Sequence, residues 1–104
     1  MRQIWAIPGI GPTSKLICER KNKDYVLLRL ERSAPQGVAV PQSRVRVYRT
    51  GGEQPLAEYP IPYSDGRSSV FSQASQIVRL AAGECLRAEI TTGGKTTQCP
   101  VLTP

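Results

Sequence analysis

The chain has 104 residues, is 39% hydrophobic but only 6% aromatic, and carries a formal net charge of +6. This is the length of one small domain with a lean core, and it leaves no room for two independent cores. The absence of His excludes Ser-His-Asp and Cys-His catalytic arrangements and every His-ligated metal site.

Taken in chain order, most segments are short, rich in Val, Ile, Thr and Tyr, and bounded by Gly, Pro, Asn, Asp or Ser, which is the pattern of strands and turns. The opening apolar run, Ile4-Trp5-Ala6-Ile7, stops at Pro8-Gly9 before reaching signal-peptide length. It reads as a first strand or as an extended N-terminal arm spanning 1–14, ahead of a single β domain over 15–104. Trp5 is too large to stay exposed without a reason, so it packs on its own core or docks on a neighbour. Strands are then expected at 3–7, 15–19, 25–31, 38–40, 44–48, 56–61, 69–71, 76–80, 85–91 and 95–101.

Alternation is clearest in three of them. Val26, Leu28 and Leu30 share one face of the third strand, Val45 and Val47 one face of the fifth, and Leu86, Ala88 and Ile90 one face of the ninth. With Trp5 and Leu80 these residues form the expected core, and the polar opposite faces favour antiparallel pairing. Pro55, Pro60 and Pro62 restrict their segment to a sheet edge or an extended connection. Residues 73–80 also fit a short helix, since Ala74, Ile77 and Leu80 have compatible spacing. The expected fold class is therefore all-β, an antiparallel sandwich.

The last hairpin admits two registers. A three-residue loop, Thr91-Thr92-Gly93, sets Glu89 opposite Lys95 and Cys85 opposite Cys99, where a disulfide is conceivable. A two-residue Gly93-Gly94 loop separates those thiols. Three cysteines leave Cys18 over in the first case and three free thiols in the second; without His or a closely spaced Cys pair, no metal or other cofactor is expected.

Charge is uneven. Residues 1–52 hold ten basic and three acidic side chains, a balance of +7, whereas 53–104 hold four and five, a balance of −1. Arg44, Arg46 and Tyr48 alternate on one strand face, with Arg49 beside them, and together with Trp5 they are the expected partner-binding residues. Arginines around an aromatic suit single-stranded nucleic acid; the plainer alternative is a solvated sheet face. The acidic residues form no paired motif, and Ser68 and Ser69 have no base nearby in sequence, so no enzyme is expected.

Residues 78–90, followed by Gly93-Gly94-Lys95 and Pro100, resemble the closing strands of fibronectin type III and related immunoglobulin-like domains. Leu80 and Gly83 stand where that family has a Leu and a tight turn, and Cys85 or Leu86 where it has a Tyr. Residues 25–31 and 44–49 pass for its second and third strands, without the usual Trp. The resemblance implies a sandwich used for adhesion, spacing or docking, with no catalytic residues.

The expectation is a non-catalytic assembly or adaptor module with protein partners, homo- or hetero-oligomeric. A phage virion component of tail or head, made in the cytoplasm, is one setting that fits. Basic nucleic-acid binding and inhibition of a larger partner are the competing readings. No stretch approaches the roughly 18 apolar residues of a membrane-spanning helix.

Overall fold

Period-two alternation is realised as eight strands in a computed structural model that describes residues 2–104. The strands are β1 (Arg2–Ala6), β2 (Lys15–Arg20), β3 (Tyr25–Ala34), β4 (Ser43–Arg49), β5 (Pro55–Ile61), β6 (Val70–Arg79), β7 (Leu86–Thr92) and β8 (Lys95–Gln98). They form two antiparallel four-stranded sheets, ordered β1-β2-β3-β6 and β5-β4-β7-β8. The described residues contain no helix, so the helical alternative for 73–80 gives way to β6.

One apolar cluster joins the inner faces of both sheets. Trp5, Leu16, Cys18, Val26, Leu28, Leu30 and Val78 enter it from the first sheet, and Val45, Val47, Ala57, Tyr59, Leu86, Ala88 and Ile90 from the second. All ten expected core residues, the eight read from alternation together with Trp5 and Leu80, are buried in it.

Residues 2–6 are an edge strand rather than an arm, with Trp5 opposite Leu16 and only 8% exposed; Met1 lies outside the described residues. The turn after β1 is also built in. Ile7 donates its N–H to the Ser14 carbonyl, Ser14 Oγ accepts from the Ser33 N–H at 3.0 Å, and Ile10 is fully buried. Gly11 passes so close to β3 that a Cβ there would stand 2.2 Å from the Ser33 carbonyl oxygen, at a φ of +125° that L side chains rarely adopt. The 7–14 stretch is thus a packed hairpin connection.

Two local expectations change. The strand expected at 38–40 is reduced to an isolated bridge between Val40 and Ser64. The segments expected at 69–71 and 76–80 are one continuous strand, β6, paired along its whole length with β3.

Candidate functional site: a charged sheet face and an open sheet edge

Strand β4 lies inside the second sheet and turns Arg44, Arg46 and Tyr48 to its outer face, while Val45 and Val47 point into the core. Register then decides what these side chains meet. Arg46 stands between Glu58 on β5 and Glu89 on β7. Glu58 Oε1 accepts from both Arg44 Nη1 and Arg46 Nε at 2.9 Å, and these bonds, Arg44's first, hold its carboxyl below the usual glutamate range. Tyr48 donates its hydroxyl to Glu89 at 3.2 Å, and the Arg87 guanidinium sits 4.0 Å from the centre of its ring. Burial first, then the Glu89 charge, pushes the Tyr48 phenol up.

Three of the expected binding residues therefore do share one face, but their charges and ring are engaged within the sheet. A base stacking on Tyr48 would compete with Arg87 for the ring. Arg49 is not part of that face. It turns to the connection around β6, donating to the Arg79 carbonyl at 2.9 Å with Glu84 within 3.1 Å. Trp5 is on the other sheet, in the core.

The thiols are separate. The terminal hairpin takes the two-residue Gly93-Gly94 turn, both glycines at positive φ, which matches the twist of the flanking strands. Glu89 consequently faces Gln98, and Thr92 faces Lys95. Cys99 Sγ accepts from the Ala88 N–H at 3.0 Å and Cys85 Sγ contacts Thr103 Oγ1 at 3.4 Å, so the Cys85–Cys99 bridge does not form. Cys18 is fully buried, and burial, aided by the Cys99 thiol, pushes it up to about 12.

What sequence reasoning passed over is the edge of the first sheet. A bare edge strand offers a row of unpaired backbone groups, and proteins blunt such edges with Pro, charge or brevity. Strand β5 carries Pro55 and Pro60, and β8 is four residues long. Strand β1 has five residues, and the C-terminal segment lies against it, Thr103 donating to Gln3 Oε1 at 2.7 Å. Strand β6 has none of these devices. It runs for ten residues, holds no Pro, and carries no charge from Val70 to Val78. Phe71 and Ile77 on its outer face are 71% and 56% exposed. The signal was present in the sequence as the uncharged stretch between Arg67 and Arg79.

Beneath the first half of β6 the sheets part into a cleft of about 160 Å³ lined by Arg32, Tyr59 and Ala74 among others. Arg32 is 7% exposed and donates to the Pro62 carbonyl at 3.0 Å; among the described residues, its Nε and the Tyr59 hydroxyl have no hydrogen-bond partner. A second cleft, of about 260 Å³, lies between the Pro8-Gly9 turn, Pro41 and the β7–β8 hairpin.

In comparisons with known proteins, no family model matches the chain, and no curated protein or solved structure gives a match.

Proposed function

We propose that the chain is a non-catalytic β-sandwich of immunoglobulin or fibronectin type, and that it assembles with protein partners by accepting a strand at the free edge of β6. Connectivity supports the first half of this reading. In immunoglobulin-like sandwiches the second and fifth strands pair in one sheet, and the third and sixth in the other. Here β3 pairs with β6 and β4 with β7, and the chain crosses between sheets after β3, β5 and β6. These are the strands whose sequences carry the resemblance, with β8 as the closing strand.

The observation that carries the second half is the unblocked edge of β6. Strand addition gains affinity from main-chain hydrogen bonds and specificity from alternate side chains. On β6 those side chains are Phe71 and Ile77, which have no cover in the chain itself.

The test is photo-cross-linking in the cells that make the protein, with a photoreactive residue placed at Gln73 or, separately, at Arg46. Protein adducts from position 73, with none from position 46, are expected. Nucleic-acid adducts from position 46, or no adduct at 73, would overturn the reading.

A further inference from the structure

We infer that the strand accepted at this edge is β6 of a second copy, antiparallel, with Ala74 on the two-fold axis. The inference rests on the reading of β6 as the assembly edge and adds the identity of its partner.

Backbone phase comes first. Leu80 donates its N–H to the Asp24 carbonyl at 2.9 Å, continuing the β3–β6 ladder. Residues alternate along a strand, so even-numbered residues of β6 turn their backbone groups to β3. Phe71, Gln73, Ser75 and Ile77 turn theirs to the free edge.

Side chains then select the register. Two-fold pairing within one continuous sheet puts outer face beside outer face, so opposed residues have equal parity. With Ala74 on the axis, Phe71 stands opposite Ile77 of the second copy and Gln73 opposite its Ser75, and symmetry repeats each pair. All four residues have outward backbone groups, so these become hydrogen-bonded pairs. Ala74 faces its own copy as a non-hydrogen-bonded pair, where Cα atoms approach to about 4.5 Å and a methyl group fits. Moving the axis to Ser75 would oppose Phe71 with Arg79, and moving it to Gln73 would oppose Phe71 with Ser75. Only the Ala74 axis lets the two exposed apolar side chains cover each other.

Charge agrees. The chain carries +6, yet β6 brings no charged side chain to its own copy between Val70 and Val78. On β3, Arg29 Nε donates to Ser75 Oγ at 3.3 Å and Glu31 accepts from Gln73 Nε2 at 3.0 Å. Pairing about Ala74 would line up Arg29, Ser75, then Gln73 and Glu31 of the second copy in one polar row, with opposite charges at its ends.

Sedimentation of the purified full chain across the micromolar to millimolar range tests this. A monomer–dimer equilibrium is expected that strengthens with salt, since screening relieves the repulsion of two like-charged chains. Ser75→Pro removes an outward N–H from each copy and spares the ladder to β3. It is expected to raise the dissociation constant at least about tenfold with an unchanged circular dichroism spectrum. Gln73→Lys keeps every backbone donor, sets like charges on either side of the axis, and is expected to do the same.

For the register, Ala74→Cys and Gln73→Cys are compared under air oxidation in a background of Cys85→Ser and Cys99→Ser. A covalent dimer is expected from position 74 alone. A chain that stays monomeric at millimolar concentration, a dimer indifferent to both edge variants, or equal cross-linking from position 73 would overturn the inference. If the purified chain is monomeric while Gln73 still cross-links a protein of another mass in cells, the second copy is excluded and the edge reading stands.

Discussion

Replacing Trp5 by alanine separates a packed edge strand from a docking arm. The indole is 8% exposed, opposite Leu16 on β1, and belongs to the cluster shared by both sheets. Truncating a buried Trp removes its transfer free energy and leaves a cavity, together about 3–5 kcal/mol. Strand β1 is at a sheet edge and can settle inward, which favours the lower end of that range. A domain of this size has a total stability of about 5–15 kcal/mol, so the loss is a large fraction of it. At about 4–8 °C per kcal/mol, a loss of about 3–5 kcal/mol should lower the melting midpoint by about 12–40 °C, nearer the lower figure. Thermal melting followed by the strand band in circular dichroism reads this without relying on the deleted fluorophore. Assembly is a control, because β1 and β6 are opposite edges of the same sheet. Compared well below the lower midpoint, Trp5→Ala should associate like the parent. A midpoint lowered by less than about 4 °C, or association lost while the midpoint holds, would refute core packing of this ring.

Other perturbations have defined outcomes. Gln76→Pro removes an N–H that turns to β3, breaking a ladder hydrogen bond, and should cost about 1–3 kcal/mol, whereas Ser75→Pro, one residue away, should melt within a few degrees of the parent. Gly11→Ala would drive a Cβ into the Ser33 carbonyl and should cost at least about 2 kcal/mol, while Gly9→Ala, with open space around it, should cost about 1 kcal/mol, both read from urea midpoints. Burial raises Cys18 and Tyr59 from 9.0 and 10.0 to about 12. The unfolded chain therefore releases these protons first, and stability should be complete below pH 9 and fall as pH rises toward 12, by about 1.4 kcal/mol per pH unit for each titrating group. Glu58 has the opposite sign. Its depressed carboxyl should keep the Arg44 and Arg46 link intact until pH falls through its own low value, and Arg44→Ala should move its NMR titration up toward the usual glutamate range.

The interior was legible because strands with one wet face write their burial in every second residue. Val26, Leu28 and Leu30, or Leu86, Ala88 and Ile90, needed no tertiary information. Strand β6 escaped for the converse reason. Its first half is exposed on both faces, so Ser72, Gln73, Ala74 and Ser75 show no alternation, and the strand read as two pieces, with a helical option over 73–80 in place of the second. The hairpin register also lay beyond local sequence, since Thr91-Thr92-Gly93 and Gly93-Gly94 both make acceptable turns. The outward direction of Arg44 and Arg46 followed from spacing. Their engagement by Glu58, and that of Tyr48 by Glu89 and Arg87, depends on which strands flank β4, and pairing at a sequence distance of 12 to 41 residues is not written in β4 itself.

Amide hydrogen exchange along β6 tests the open edge most directly. In dilute solution, the amides of Phe71, Gln73, Ser75 and Ile77 should exchange quickly while those of Ala74, Gln76 and Val78, bonded to β3, exchange slowly. On concentration the fast set should gain protection and the slow set should change little. The fast set being as slow as its neighbours at the dilute limit, or protection on concentration appearing on β4 while β6 stays unchanged, would contradict the assignment of β6 as the assembly edge.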